Sequence, residues 1–140
     1  MVALWSRIRP RLLAAAIALS LVLSLSLTAC SNGSGRISGN YVDDTVAVAK
    51  GLLTTIAIAP DDSSRPEAEQ EARALISDYM ARYRHQSKVN GLASFTTMQT
   101  ALNSLAGHYL NYPNRPIPDA LRSRLEKELS KAESSVVRGS

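Results

Sequence analysis

The stretch SFTTMQTALNSLAGHY, residues 94–109, decides the fold class of this chain. Its apolar side chains recur every three or four positions, so an α-helix would place them all on one face. They are Phe95, Met98, Ala101, Leu102, Leu105, Ala106 and Tyr109. Ser94 is positioned to cap this helix, which should end near Asn111. The pattern predicts an amphipathic helix that buries its apolar face against other elements.

The same helical period continues towards the N-terminus. A first helix is predicted from Asn40, its cap, to about Ala57. A second helix should start at a capping box, in which Ser64 is followed three positions later by Glu67, and end at the Asn-Gly pair of residues 90–91. The expected buried positions are Val42, Val46, Ala49, Leu53 and Ile56 in the first helix and Ala68, Ala72, Leu75, Ile76, Tyr79 and Tyr83 in the second.

The last helix should begin near Pro118, because the prolines of residues 112–118 prevent an earlier start. Its expected buried positions are Leu121, Leu125, Leu129, Ala132 and Val136. No alternating run of β-branched residues indicates a strand. The sequence therefore predicts an all-α fold, an up-down-up-down four-helix bundle over residues 40–140.

The N-terminus has the anatomy of a lipoprotein signal. Three arginines among residues 7–11 precede an uncharged apolar run at residues 12–27. This run is shorter than the ~20 residues that span a bilayer, and it is typical of a secretory signal. The sequence LTAC at residues 27–30 then matches the bacterial lipobox, whose cysteine becomes the first residue of the mature protein.

Cys30 is the only cysteine, so it has no partner for a disulfide. We expect cleavage of residues 1–29 and covalent lipid on Cys30, as an S-diacylglyceryl group and an N-acyl chain such as palmitate. Two or more chains are what stable anchoring requires. Residues 30–39 are rich in serine and glycine and are predicted to be a flexible tether.

The charge balance excludes one class of function. The chain has 16 Lys and Arg against 12 Asp and Glu, and three of the arginines leave with the predicted signal. The mature chain is then nearly neutral, which gives no support for nucleic-acid binding. The 111 remaining residues suffice for one domain with a modest core. We expect this domain to be monomeric when free.

Few residues suggest catalysis or metal binding. The two histidines, His85 and His108, should lie at axial levels about 13 Å apart in the bundle, as solvated or interface residues. The carboxylate pairs at 43–44 and 61–62 fall at a helix start and in a turn, where capping explains them. We therefore expect no enzyme activity, no metal site and no cofactor other than the lipid.

A polar cluster at the end of the second helix, beside the turn before Phe95, is the main candidate for partner binding. Arginine and tyrosine are enriched in protein interfaces, although a solvated helix end would have a similar composition. The rigid loop of residues 115–118 is a second candidate, or simply a helix breaker. The candidate contact residues are Arg82, Tyr83, Arg84, Lys88, Phe95 and Arg115.

Several segments together resemble the photosystem II assembly lipoprotein of cyanobacteria. They are residues 79–84, 87–92, 94–103, 105–109 and 115–118, with residues 38–41 and the lipobox. The resemblance implies a lipid-anchored four-helix bundle on the lumenal side of the thylakoid membrane. It also implies transient binding to the lumenal loop of the inner antenna protein CP43 in immature photosystem II. There the family is expected to keep the manganese site accessible and to prevent premature docking of the mature extrinsic subunits, during assembly and repair.

The residues alone leave another class of function open. A generic cell-envelope lipoprotein, acting as an adaptor or as a small ligand-binding bundle, would show the same signal and helical pattern. Co-purification with an inner antenna subunit separates the two hypotheses.

The lipobox predicts that the native protein begins at Cys30 and carries at least two acyl chains, which intact-mass spectrometry would measure. Cys30→Ser should leave an unprocessed or soluble form, because the sulfur that accepts the diacylglyceryl group is gone. An unmodified N-terminus at another residue would contradict this prediction.

Overall fold

The computed structural model describes residues 35–139, and their helices are four long and one short. In chain order, α1 spans Tyr41–Ile56, α2 Arg65–Tyr83, α3 Ser87–Asn90, α4 Ala93–Asn111 and α5 Asp119–Val137. None of the described residues lies in a strand, and the predicted all-α fold is confirmed. The predicted signal peptide and Cys30 lie outside the described residues.

The four long helices run alternately up and down. The start of α1 meets the end of α2, where Thr45 Oγ1 and Tyr79 Oη are 2.7 Å apart. At the opposite end, Arg65 at the start of α2 donates to the Asn114 carbonyl just after α4, at 3.3 Å. Helix α5 packs on both α4 and α1 and closes the bundle. We call the end where residues 36–40 join α1 the tether end, and the end with residues 112–118 the proline end.

One core joins the four long helices. Leu52 of α1, Tyr79 of α2, Leu102 of α4 and Leu125 of α5 are all fully buried. The predicted stripe of α4 is confirmed, with only Ala106 less than fully buried. Each buried leucine contributes roughly 1.5–3 kcal/mol relative to an exposed position.

The buried face of α1 matches the predicted one only in part: Ala49 and Ile56 are buried as expected, but the face is rotated towards Thr45, Val48 and Leu52. Val42 is 41% exposed, whereas Thr45, Val48 and Leu52 are fully buried. The large apolar residues of α1 form an arc wider than the face that is buried, so their spacing did not determine which part of the arc packs inward. Thr45 occupies an interior position because its hydroxyl bonds both the Tyr41 carbonyl and the Tyr79 hydroxyl.

The predicted second helix is interrupted after Tyr83. Gln86 is extended, with φ −84° and ψ 108°, and its side-chain amide donates to the Arg82 carbonyl at 2.9 Å. Residues 87–90 then form the separate helix α3, which buries Val89 in the core. The break in the helix therefore allows Val89 to pack in the core, which the local sequence pattern did not indicate.

Of the three predicted N-terminal caps, only Asn40 forms the expected hydrogen bonds, since its side chain accepts from two amides in the first turn of α1. Ser64 instead hydrogen-bonds Asp62, and it forms no side-chain cap. Ser94 lies inside α4, where its hydroxyl is 2.8 Å from the Tyr41 hydroxyl.

The folded unit begins before α1, within the segment predicted to be a tether. The buried Asp44 carboxylate accepts from the Ser38 amide and hydroxyl at 2.7 Å each, from the Gly39 amide at 2.9 Å, and from the Tyr83 hydroxyl. Ile37 packs against the core, partly buried. Residues 37–39 are therefore docked onto the bundle.

The stability that the Asp44 carboxylate gives to the fold should depend on pH. Burial by itself would raise its pKa, but the hydrogen bonds from Tyr83, Ser38 and Gly39 favour the carboxylate, and the pKa lies below its usual value. A carboxyl with a lowered folded-state pKa stabilises the fold above its unfolded pKa of about 4. That contribution is lost as the pH falls through the folded-state pKa.

Asp44→Asn should lower the free energy of unfolding at pH 7 by about 1–3 kcal/mol, because an amide cannot accept all of these hydrogen bonds. Stability should also decline less steeply below about pH 4 than in the wild type. Urea unfolding followed by circular dichroism at several pH values measures both effects. Asp43→Asn, at an exposed neighbouring carboxylate, is the control; equal losses for the two variants would contradict the role of Asp44.

Leu102→Ala and Leu125→Ala should each destabilise the bundle by about 2–5 kcal/mol, because both truncations leave a cavity in the core. Leu110→Ala, at a position that is 80% exposed, should change stability by less than about 0.5 kcal/mol. Thermal or urea unfolding compares the three variants. A core that tolerates either truncation as well as Leu110→Ala would refute the assigned packing.

Candidate partner-binding surfaces

Two of the predicted contact residues belong to the core. Tyr83 and Phe95 are fully buried, and both pack against Tyr79, with ring centroids 5.0 Å and 6.4 Å away. The expectation that their side chains contact a partner is therefore corrected. Both residues lie on the predicted apolar stripes of their helices, and that position already indicated that they would be buried.

Arg82, Arg84 and Lys88 lie on the surface at the tether end. Together with the exposed His85 they form a cationic surface that we call the basic turn. Neither Arg84 nor Lys88 forms a salt bridge with another described residue, so both charges are available to a partner.

Arg82 also lies across the docked segment. Its Nη2 is 2.9 Å from where a Cβ on Gly39 would stand, and Gly39 has a φ of +96°. Both facts favour glycine at this position, since a side chain would be strained and would displace the guanidinium. The tether attachment and the basic turn are thus in direct contact.

Arg115 lies at the opposite end of the bundle. The Arg65 guanidinium, at the start of α2, bonds the carbonyl next to Arg115, whereas the basic turn begins at the end of α2. A helix of 19 residues separates its ends by about 27 Å. The predicted contact residues therefore lie on two distinct surfaces.

The charges are distributed asymmetrically between the two ends. The proline end carries exposed carboxylates on the turn between α1 and α2 and at the start of α5, together with the cation Arg115, while the tether end carries the basic turn and Arg138 together with the carboxylate Asp43. The carboxylates of the proline end are Asp61, Asp62, Glu67 and Asp119. Separated charges of this kind orient a protein as it approaches a charged partner.

The last turn of α4 and the loop after it display exposed apolar side chains beside an anchored backbone. Leu110 is 80% exposed and Tyr112 is 54% exposed. Ile117 is buried, and the Nε2 atom of His108 lies 3.2 Å from the Arg115 carbonyl. His108 is itself buried, which corrects the expectation that it is solvated or at an interface. Sequence reasoning missed Leu110, although it is an apolar residue outside the buried stripe of α4.

The described residues contain no group of three or more His, Cys, Asp or Glu side chains that could hold a metal ion. His85 lies at the tether end and His108 near the proline end, so they do not share a site. No helix within residues 35–139 has the length and apolar character needed to cross a membrane.

Comparison with known proteins shows the family of the chain. The family model described as Photosystem II Pbs27 matches residues 7–136. The chain is 49% identical over 123 residues to the "Photosystem II lipoprotein Psb27" of Synechocystis sp., covering 88% of this chain and 91% of the relative. It is 46% identical over 121 residues to the "Photosystem II assembly factor lipoprotein Psb27" of Thermosynechococcus vestitus, covering 86% and 90%.

Solved structures agree with the fold. The "Solution Structure of Psb27 from cyanobacterial photosystem II" superposes with a TM-score of 0.73 at 47% identity, and covers 80% of this chain and 96% of the solved one. Sequence and structure agree over most of the chain, so it belongs to the Psb27 family of photosystem II assembly lipoproteins.

Proposed function

We propose that this protein is a non-catalytic, lipid-anchored factor that binds immature photosystem II transiently during assembly and repair. Family membership over residues 7–136 is the observation that carries this proposal. The names of the relatives support it, since one is called a photosystem II lipoprotein and another an assembly factor.

The anchor would be the lipid on Cys30, held on the lumenal side of the thylakoid membrane. Two acyl chains give stable membrane attachment, whereas one chain binds only marginally. Because residues 36–39 are docked on the bundle, few residues separate Cys30 from the folded protein. The lipid would therefore keep the domain close to the membrane that contains photosystem II, which raises its local concentration there.

The proposed mechanism is occupancy of a lumenal surface. The bundle would cover part of the lumenal loop of CP43, keep the manganese site accessible, and leave when the mature extrinsic subunits dock. Such a role requires modest affinity and reversible release, which surface charges provide because they increase the association rate more than the affinity.

The basic turn is the proposed contact with CP43. Arg82, Arg84 and Lys88 are exposed, and Arg84 and Lys88 have no competing salt bridge within the described chain. Arginine in particular forms two parallel hydrogen bonds with a carboxylate. We therefore expect acidic side chains on the partner surface.

Arg84→Glu combined with Lys88→Glu should weaken binding of the mature protein to immature photosystem II by tenfold or more, equivalent to about 1.4 kcal/mol. Titration of the lipidated protein against isolated complexes measures this affinity, and wild-type binding should weaken as salt is raised.

The matched control is Lys127→Glu with Lys131→Glu, which makes the same change of charge at exposed positions of α5. This control should bind within about threefold of the wild type, because distant surface charges are largely screened. Equal weakening by both double variants would reject the basic turn as the contact. If the wild-type protein retains no photosystem II subunit at all, the proposed function fails.

A further inference from the structure

Two grooves are not explained by the basic turn: one runs between α2 and α4 from the middle of α2 to the last turn of α4, and the other lies at the proline end. A groove of ≈ 380 Å³ is lined by Arg73, Ile76, Ala106, Tyr109 and Leu110. Another of ≈ 430 Å³ is lined by His108, Tyr112, Arg115, Pro116 and Pro118. Each contains one of the strongly exposed apolar residues, Leu110 or Tyr112. Leu110 and Tyr112 are two positions apart in the chain, and exposed apolar side chains that lie beside grooves mark interaction sites.

Each groove has one arginine and no carboxylate in its lining. The Arg73 guanidinium lies 5.2 Å from the centre of the Tyr109 ring and donates to the Tyr109 carbonyl at 3.3 Å, which fixes its position. Arg115 forms no salt bridge with a described residue. The chemistry that fits both grooves is an apolar or aromatic side chain next to an acidic one.

The backbone around this surface is already held in place. Prolines fix much of the loop, Ile117 is buried, and His108 and Arg65 bond the carbonyls of Arg115 and Asn114. A loop that is ordered before binding loses little conformational entropy when a partner docks. The surface is therefore preorganised for an extended segment.

We propose that these grooves, with Leu110, Tyr112, Arg73 and Arg115, bind a second segment of the photosystem II partner. This inference rests on the proposed function. The segment is an extended protein stretch that carries apolar or aromatic side chains beside an acidic residue. Because the two ends of α2 lie about 27 Å apart, contact at both ends of the bundle fixes its orientation on the partner. Two weak contacts on one rigid body also give usable affinity without slow release.

The test compares lipidated full-length mature variants in titrations against isolated immature photosystem II. Leu110→Ser with Tyr112→Ser should weaken binding by tenfold or more, while Ala47→Ser, at an exposed apolar position within α1 that belongs to neither proposed surface, should bind like the wild type. Arg115→Gln should weaken binding at least threefold, and its control Lys131→Gln should not. Circular dichroism should show unchanged folding for all four, since the altered side chains are exposed.

The second surface would be overturned if the Leu110/Tyr112 variant bound with wild-type affinity while the Arg84/Lys88 charge reversal clearly weakened binding. That result would leave the proposed function intact. If the Leu110/Tyr112 variant lost affinity for photosystem II but Arg115→Gln did not, the bound segment would not need an acidic residue, and that part of the proposal would be overturned. If the wild-type protein does not bind photosystem II, both the inference and the proposed function are overturned.

Discussion

The buried carboxylate of Asp44 is the interaction on which the rest of the structure depends. It accepts hydrogen bonds from the amide and hydroxyl of Ser38, the amide of Gly39 and the hydroxyl of Tyr83. One side chain thus joins the segment before α1, α1 itself and the last residue of α2. Hydrogen bonds to a charged group are stronger than neutral ones, and a buried charge without them would be costly. The entry of the chain into the bundle and the position of the basic turn therefore follow from the same contact.

The sequence predicted the parts of the fold that depend on local pattern. The stripes around Leu102 and Leu125 were clear because apolar and polar residues alternate there with a helical period. The buried face of α1 was predicted only in part, through Ala49 and Ile56, since a polar residue, Thr45, is buried through hydrogen bonds to other residues. The role of Asp44 was also hidden, because Tyr83 lies 39 positions away in the sequence. A carboxylate in the first turn of a helix is ordinarily explained by the helix dipole.

The candidate site was predicted less well, for a related reason. Residues 82–95 were grouped because they are close in sequence, but the fold buries Tyr83 and Phe95. Arg115, predicted as part of a separate candidate loop, lies at the other end of the bundle. What remains of the group is the basic turn. Leu110 was missed for the opposite reason. An exposed leucine has no polar or catalytic signature in the sequence, so it is recognised as a candidate contact residue only once its exposure is known. Separating contact residues from the residues that position them required the three-dimensional arrangement.

The central claim is that a bundle anchored near the membrane presents its tether end to the lumenal side of photosystem II. Zero-length carbodiimide cross-linking tests it most directly, because it joins a lysine only to a carboxylate in direct contact. The purified complex of the lipidated protein with immature photosystem II is cross-linked, and the joined peptides are identified by mass spectrometry. The account predicts links from Lys88 to acidic residues in the lumenal loop of CP43. Links from Lys127 and Lys131 of α5 alone, with none from Lys88, would contradict it.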